Sequence, residues 1–470
     1  MTDTAATTHH GVDVDELAAA LGGIVGTADV LTGEAISDDY HHDEALTGDH
    51  HAPDAVVRPS SAEHVAAVLS YADAHGIPVT ARGSGTGLSG GCVPRHGGIL
   101  LSFEHMASVL EVDTENFTAT VQPGVTLDQL DQQLADQGLR YTVYPGEYSA
   151  SLGGNVATNA GGMRAVKYGV TRHQVLGLQA VLPTGEILRT GGKFVKATTG
   201  YDLTQLIIGS EGTLAVVTEA ILKLHPRVDH SATVLAPFPV LESVTNAVPK
   251  IVASGVGPLI LEYIDLLSMA GITAANSLEL GVPQEIKDTA LAYLVVVLEE
   301  RTADRLEQDI EELAVQLTEL GAMDVYVLPP AAGAALIEAR EKAFWTGKAA
   351  GMNDLIDMVV PRAQIPEYMA EVASLAEASG SWVTGCGHVG DGNVHLTVFQ
   401  ADPDMRYKLM RGIFETGMQL GGAISGEHGI GTEKRKYFNE LEDPAKIALM
   451  RRIKAAFDPN GILNPGAIFE

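Results

Sequence analysis

Two histidines on either side of a short turn are the part of this sequence that most clearly suggests chemistry. His388 and His395 flank Gly390-Asp391-Gly392-Asn393 in CGHVGDGNVHLTVF, a pattern typical of two strands joined by a four-residue turn. In that register His388 opposes His395, and directly opposed residues share one face with Cβ atoms about 4.5–5.5 Å apart. Two imidazoles so placed suit one divalent metal ion, with zinc or manganese preferred. The alternative is a pair of hydrogen-bonded histidines near a sheet edge.

A glutamate and a histidine follow one another between glycines in SGEHGIGTEKRKYF. Glycine-rich backbone lets the adjacent side chains of Glu427 and His428 both turn into one cleft. Glu427 would supply a third, hard ligand and leave coordination positions open for a substrate, as catalytic metal sites require. His428 would then be a free imidazole beside the metal, which suits a general base near neutral pH.

Arg340, in EAREKAFW, could bind the carboxylate of a substrate. The guanidinium fork pairs with both oxygens of a carboxylate, so arginine is preferred for this task. The alternative is that Arg340 lies on a helix surface and pairs with Glu338 or Glu341.

Three glycine-rich segments indicate a site for a large polar ligand. The densest is ARGSGTGLSGG (81–91), which follows the predicted strand IPVTARG. Its amides could form an anion nest for a diphosphate. The G-x-G-x-x-G fingerprint is not clearly met, because no helical pattern follows. Residues 145–169 are rich in Gly, Ala, Ser, Thr and Asn, which suits a backbone-lined cofactor slot. Residues 209–224 again place glycines before a strand.

The elements around these segments alternate between strand and helix patterns. A capped helix is predicted from Ser60 or Ser61 to Gly76, and a second helix over residues 126–138. Further strands are predicted in GILLSF, FTATVQPG, VLGLQAVLPTGEIL and TLAVVTEAILKLHP. From about Asp229 onwards, long helical patterns alternate with apolar strands such as LAYLVVVLEE. Such alternation favours a sheet with helices packed on one face.

Composition excludes several classes of protein. The 470 residues are too many for one ordinary core. A net charge of −30 disfavours nucleic acid as a partner. Two cysteines cannot hold a four-thiolate iron–sulfur cluster and fit a reducing cytoplasm. The N-terminus lacks the pattern of a signal peptide, and no stretch approaches the roughly 20 apolar residues of a membrane span. We therefore expect a cytoplasmic protein, with peripheral attachment to the inner face of the membrane left open.

Taken together, the order and spacing of these motifs resemble the FAD-binding proteins of the vanillyl-alcohol oxidase and p-cresol methylhydroxylase (PCMH) superfamily. The most similar branch contains D-lactate dehydrogenase, D-2-hydroxyglutarate dehydrogenase and a subunit of bacterial glycolate oxidase. The resemblance runs from about Tyr40 to Pro465. In that branch the residues matching His388, His395 and Glu427 bind a divalent metal, the residue matching His428 is catalytic, and the position of Arg340 resembles that of the arginine that binds the substrate carboxylate.

The resemblance implies FAD as cofactor, and the residues that would contact it come from all three glycine-rich segments and the C-terminal segment. They are Arg82, Gly83, Ser84, Gly85, Thr86, Gly87, Leu88, Pro145, Gly146, Ser149, Ser151, Gly153, Gly154, Asn155, Thr158, Asn159, Gly161, Gly162, Tyr168, Gly169, Glu211, Gly212 and Asn464. Relatives with covalent flavin carry a linking histidine in the first segment. No histidine lies between Arg82 and Pro94 here, so non-covalent FAD is expected.

The resemblance implies an α+β fold in four parts. These are an N-terminal helix and loop (1–50), a PCMH-type FAD-binding domain of two α+β subdomains (51–228), a ferredoxin-like α+β substrate or cap domain (229–425), and a C-terminal catalytic and FAD-contacting segment (426–470). The expected function is oxidation of a small D-2-hydroxy acid, with D-lactate or glycolate preferred, to the 2-oxo acid. Electrons would leave to a quinone, an iron–sulfur subunit or a soluble carrier, and a homodimer is left open.

Two alternatives remain at this point. A sugar or phenolic-alcohol oxidase on the same FAD domain would lack the metal residues and usually carry covalent flavin. A non-catalytic FAD-binding subunit of a larger complex should have lost Glu427, His428 or the metal histidines, and this chain keeps all of them.

Overall fold

The computed structural model describes residues 13–48 and 50–469. The first sheet has four strands in the order β1-β2-β4-β3. These strands are β1 (Val30–Leu31), β2 (Ala55–Val57), β3 (Val79–Arg82) and β4 (Ile99–Ser102). Helices α1 (Val14–Val25) and α2 (Ala62–His75) pack on this sheet. Ser61 caps α2 by accepting from the His64 amide, and Gly76 ends it at φ 63°. The predicted start and end of this helix are thus confirmed.

The second sheet is antiparallel and has five strands in the order β5-β6-β10-β8-β9. Its strands are β5 (Val109–Asp113), β6 (Thr118–Val121), β8 (Val175–Val181), β9 (Ile187–Gly191) and β10 (Val216–Lys223), and a separate pair joins β7 (Leu139–Arg140) to β11 (His225–Pro226). The helices of this part are α3 (Leu127–Ala135), α4 (Leu152–Thr158), α5 (Ala165–Tyr168), α6 (Thr171–Gln174) and α7 (Leu203–Ile207). Helix α4 begins inside the second glycine-rich segment, where Ser151 caps it by accepting from the Gly154 amide.

The third sheet has seven strands in the order β15-β12-β14-β13-β17-β18-β16, and all its pairs are antiparallel. Its strands are β12 (His230–Phe238), β13 (Ile260–Asp265), β14 (Ala292–Glu300), β15 (Tyr326–Val327), β16 (Asp354–Val359), β17 (Trp382–Gly387) and β18 (Asn393–Phe399). The helices around it are α8 (Leu241–Ala253), α9 (Leu266–Asn276), α10 (Gln284–Lys287), α11 (Ala303–Glu319), α12 (Pro330–Glu341), α13 (Ala343–Ala349), α14 (Ile365–Ala378), α15 (Pro403–Gln419), α16 (Arg435–Leu441) and α17 (Pro444–Phe457).

Helices cover both faces of this third sheet, so the expectation of helices on one face is wrong. Helices α8, α11, α14 and α15 bury one face in the largest core of the molecule. Helices α9 and α12 pack against Leu235, Ile264 and Val295 on the opposite face. Side chains alternate between the two faces along a strand, so each strand had to supply apolar residues to both. The face under α9 and α12 also carries the candidate site.

The C-terminal segment returns to the first sheet, where Val79 and Leu463 form a parallel bridge. Glu299 of β14 joins the third sheet to the β7–β11 pair and to α5. Its carboxylate lies 2.7 Å from Arg140 of β7 and accepts a hydrogen bond from the Tyr168 hydroxyl of α5 at 2.7 Å. Lys167 lies 3.3 Å from the same carboxylate. No helix in the described part of the chain combines the length and apolar character needed to cross a membrane.

Candidate active site

Two imidazole nitrogens converge on one carboxylate oxygen at the edge of the third sheet. Nε2 of His388 and Nε2 of His395 each lie 3.2 Å from Oε1 of Glu427. The two rings meet edge to face with centroids 4.8 Å apart, and a ligand atom from each residue lies within 4.8 Å of those of the other two. Two imidazoles and one carboxylate at these distances are a donor set that fits a divalent transition metal.

The hairpin that presents the two histidines has a different register from the predicted one. His395 pairs with Cys386 and not with His388. Strand β17 ends at Gly387, and the amides of Asp391 and Asn393 both donate to the His388 carbonyl at 3.0 and 3.3 Å. The turn is therefore longer than four residues and begins at His388 itself. The side chains of residues 386 and 388 point to the same face, because they are two positions apart along the strand. His388 therefore still reaches His395 despite the register shift.

Glu262 of β13 orients both His388 and Arg340, and sequence reasoning missed it. Its Oε1 lies 2.5 Å from Nδ1 of His388, and its Oε2 lies 2.8 Å from Nη2 of Arg340. Burial raises the pKa of Glu262, but the charges of His388 and Arg340 outweigh it and hold that pKa below its usual value. A carboxylate on the outer nitrogen of a metal-binding histidine fixes the ring and raises its basicity. The available signal was one acidic residue within the apolar strand ILEYID.

Arg340 is buried, so its predicted alternative as a surface residue is wrong. Its neighbour Glu338 pairs with Lys342 at 2.6 Å, and Arg340 forms its ion pair with Glu262 instead. That ion pair is close but not aligned as a hydrogen bond. Nε and Nη2 of Arg340 therefore lack an acceptor among the described residues. Arg340 also lines a cavity beside the histidines, where a guanidinium suits a bound carboxylate.

The loop that carries Glu427 and His428 is held by Asp357 of β16. Oδ2 of Asp357 accepts from the Ser425 hydroxyl at 2.6 Å and from the amides of Gly426, Glu427 and His428 at 2.9–3.1 Å. A single buried carboxylate thus fixes the backbone conformation that points both side chains into the cleft. Asp357 also went unrecognised in the sequence, where it lies in the strand pattern DLIDMVV.

His428 has the environment of a neutral base. Its ring stacks on His395 with centroids 5.2 Å apart, and its Nδ1 lies 3.8 Å from Oδ2 of Asp357. Burial lowers the pKa of His428 to about 4 and outweighs the opposing charge of Asp357, and the charges of Lys434 and His395 lower it further. The imidazole is therefore uncharged near neutral pH and able to accept a proton.

A cleft between the first two sheets fits the dinucleotide cofactor. Ser84 and Ser151 exchange hydrogen bonds across it, each amide donating to the other residue's hydroxyl at 3.3 and 2.9 Å. An added Cβ at Gly83 would overlap Oγ of Ser151, so glycine is required for this close approach. The amides of Gly85 and Thr86, and Nδ2 of the buried Asn155, have no acceptor among the described residues. Unpaired donors along a glycine-rich wall fit a diphosphate and the polar edge of a flavin.

The predicted cofactor residues divide into those that line this cleft and those that do not. Lining it are Gly83, Ser84, Gly85, Thr86, Gly87, Leu88, Pro145, Ser151, Gly154, Asn155, Thr158, Glu211 and Gly212. Gly146 and Gly162 line the adjoining cavity beside the histidines. The residues that line neither cavity are Arg82, Ser149, Gly153, Asn159, Gly161, Tyr168, Gly169 and Asn464.

Several of these residues hold the backbone around the cleft. Arg82 points away, donating to the His42 carbonyl at 2.6 Å. A Cβ on Gly153 would lie 2.5 Å from that of Pro123, and one on Gly161 would lie 2.8 Å from Oε2 of Glu427. Asn464 donates to the Glu211 carbonyl at 2.7 Å.

Glu211 lies at the junction of the cleft and the C-terminal segment. Its carboxylate accepts from the amides of Ile430 and Gly431 at 2.8 and 2.7 Å. The second cavity contains Arg340, His388 and His395 and shares Leu88, Pro145, Glu427 and His428 with the cofactor cleft. Glu427 and His428 therefore lie where the two cavities meet, and His388 and His395 lie beside them in the second cavity.

Two protein families match this chain, and together they cover most of it. Residues 53–191 match the FAD binding domain family, and residues 227–468 match the FAD linked oxidases, C-terminal domain family. An uncharacterized FAD-linked oxidoreductase of Mycobacterium tuberculosis is 60% identical over 97% of this chain and 99% of its own length. A D-lactate dehydrogenase of Anaerostipes hadrus is 38% identical over 93% of this chain and 94% of its own. In structure, p-cresol methylhydroxylase is similar with a TM-score of 0.77 at 17% identity, covering 96% of both chains.

Proposed function

The chain belongs to the FAD-linked oxidase family, and from this membership we propose that it is a dehydrogenase that oxidises a D-2-hydroxy acid to the 2-oxo acid. The observation that carries this proposal is that a buried arginine, a neutral histidine and a metal-type ligand set line one cavity that adjoins the cofactor cleft. A 2-hydroxy acid has a carboxylate that the arginine can bind and a hydroxyl that the histidine and the metal can act on. The name of the D-lactate dehydrogenase relative gives independent support.

In this proposal each group of the chain has one task. Arg340, which lines the second cavity, binds the substrate carboxylate, while Glu262 keeps the guanidinium and the His388 ring in place. His388, His395 and Glu427 would hold a divalent metal. When bound, FAD supplies the hydride acceptor for C2 of the substrate, and the metal supplies positive charge that lowers the pKa of the substrate hydroxyl.

The proton of that hydroxyl goes to His428 in this proposal. We assign it to Nε2, the ring nitrogen on the side of Glu427, 3.9 Å from Oε1. Oδ2 of Asp357, 3.8 Å from Nδ1, stabilises the imidazolium that results. Loss of a hydride from C2 and a proton from the hydroxyl leaves a neutral carbonyl, so the two transfers balance.

The reaction also needs an electron acceptor, for which we retain a quinone, an iron–sulfur subunit or a soluble carrier. We propose a cytoplasmic location because Cys92 and Cys386 are both free thiols. Of the acids expected from the sequence, D-lactate is the smallest D-2-hydroxy acid, and glycolate is its achiral analogue without a substituent on C2.

A substrate screen tests the proposal. Purified FAD-loaded protein is assayed with a dye acceptor against D- and L-2-hydroxy acids, sugars and phenolic alcohols. We expect turnover with D-2-hydroxy acids and little with their L-enantiomers. Turnover confined to sugars or phenolic alcohols would contradict the proposal and favour an oxidase of the same fold.

A further inference from the structure

We propose that the second cavity selects D-2-hydroxy acids with a long apolar substituent on C2, of about six to ten carbons, in preference to D-lactate and glycolate. The inference rests on the proposed function and specifies its substrate class. It comes from the juxtaposition of the buried arginine and histidines with a deep channel whose walls are mostly uncharged. The cavity has a volume of about 660 Å³, within the range of pockets for drug-sized ligands.

One wall of the channel is the site face of β17 and β18. Thr397 and Phe399 follow His395 at alternate positions on β18, and all three line the cavity. Thr384 and Trp382 continue from Cys386 in the same way along β17. Four residues of strand span about 13 Å, so the channel runs about that far beyond His395. The flavin cleft adjoins the opposite end, at Leu88 and Pro145, and this outer length therefore remains for the substrate.

The facing wall comes from α9 and α13. Gly271 and Ile272 of α9 and Phe344 and Gly347 of α13 line it. A Cβ on Gly271 would stand 3.7 Å from Cγ2 of Thr346, an ordinary contact. The glycine thus leaves space that a larger residue would fill. Trp382 at the far end is 70% exposed, which marks the opening to solvent.

Charge along the channel favours an apolar substituent over a second carboxylate. Among its described lining residues, Arg340, Glu341 and Glu427 lie at the inner end and Glu377 lines its α14 side. Lys348, the cation of α13, does not line the channel and pairs with Glu44 at 3.1 Å. A dicarboxylate such as D-2-hydroxyglutarate would bring its second charge to a place without a cation, which is unfavourable. Each methylene buried instead should improve kcat/KM about fourfold.

The test measures flavin reduction under anaerobic conditions with glycolate, D-lactate, D-2-hydroxybutyrate, D-2-hydroxyhexanoate, D-2-hydroxyoctanoate and D-2-hydroxyglutarate. We expect kcat/KM to rise severalfold per added carbon and D-2-hydroxyglutarate to be a poor substrate. Equal or better reduction by D-lactate than by D-2-hydroxyoctanoate would overturn the inference and leave the proposed function standing. Failure of every 2-hydroxy acid would overturn the proposed function itself. A calorimetric binding measurement adds a readout without turnover, in which 2-oxooctanoate should bind at least about tenfold more tightly than pyruvate.

A substitution in the channel wall tests whether the channel determines the preference for long-chain acids. Gly271→Leu should lower the ratio of kcat/KM for D-2-hydroxyoctanoate over D-lactate at least about tenfold, while Ala270→Leu on the exposed side of the same helix should leave that ratio unchanged. If Gly271→Leu fails to retain FAD, Thr397→Leu carries the same expectation. An unchanged ratio in a folded variant would overturn the inference. Slower reoxidation of the flavin by a quinone, with an unchanged rate of reduction, would also overturn it and assign the channel to the electron acceptor.

Discussion

Replacing His428 with asparagine removes the proposed base and leaves a side chain of similar polarity. A positioned base contributes about 10²–10⁴-fold to a proton-transfer step. The ring of His428 is only 13% exposed, so bulk water is poorly placed to take over. We therefore expect the anaerobic rate constant for flavin reduction to fall by about 10²–10⁴-fold. Substrate affinity should change little, since Arg340 would still hold the carboxylate and the metal the hydroxyl.

The pH dependence gives this prediction a second readout. The base must be neutral to accept a proton, and burial lowers the pKa of His428 to about 4. The wild-type rate should therefore be constant above that pH and fall as the imidazole becomes protonated below it. The variant should lack this acidic limb. His75→Asn, on the exposed end of α2, is the matched control and should behave as wild type. Stopped-flow reduction of His428→Asn near the wild-type rate would refute the assignment, whereas loss of metal would reassign His428 as a ligand.

Three further predictions concern the cofactor, the metal and the contact between sheets. Acid denaturation should release FAD into the supernatant, since no linking histidine is present, and flavin left on the precipitate would refute this. Chelation or His388→Ala should abolish turnover while the absorbance of bound FAD persists; full activity of a metal-free preparation would remove the metal from the mechanism. Glu299→Gln should lower the free energy of unfolding at pH 7 by about 3–5 kcal/mol, since it leaves the largely buried Arg140 guanidinium without an opposite charge. Burial raises the pKa of Glu299, but the hydrogen bonds from Arg140 and Tyr168 lower it by more, so the native pKa lies below the usual value. The stabilisation by Glu299 is therefore present above pH about 4.3 and is lost as pH falls through the native pKa. A difference in urea-unfolding free energy between wild type and variant that grows on acidification would contradict this.

The sequence predicted the structure correctly where the role of a residue depends mainly on its own type and on its neighbours in the chain. The serine before α2 and Gly76 after it bounded that helix correctly, because capping depends on adjacent residues only. The side chains that we propose as ligands and base, at 388, 395, 427 and 428, were recognisable because two histidines flank one short turn and a Glu–His pair lies between glycines. The structure brings all four together.

What escaped prediction depends on contacts between distant segments. The hairpin register failed because the backbone of His388 itself accepts the turn's hydrogen bonds, which spacing alone does not reveal. Glu262 and Asp357 lie in apolar strands, and their roles follow from strand order, which brings β13 and β16 to opposite sides of the β17–β18 hairpin. The second covered face of the sheet was missed because the alternation of helix and strand patterns does not show on which face of the sheet each helix packs.

Anaerobic titration of the FAD-loaded, metal-loaded protein with a single D-2-hydroxy acid tests the central claim most directly. The account predicts that the flavin absorbance bleaches and that one 2-oxo acid forms for each flavin reduced, while the L-enantiomer leaves the spectrum unchanged. A flavin that stays oxidised with every D-2-hydroxy acid, in protein shown to hold both FAD and metal, would contradict the account.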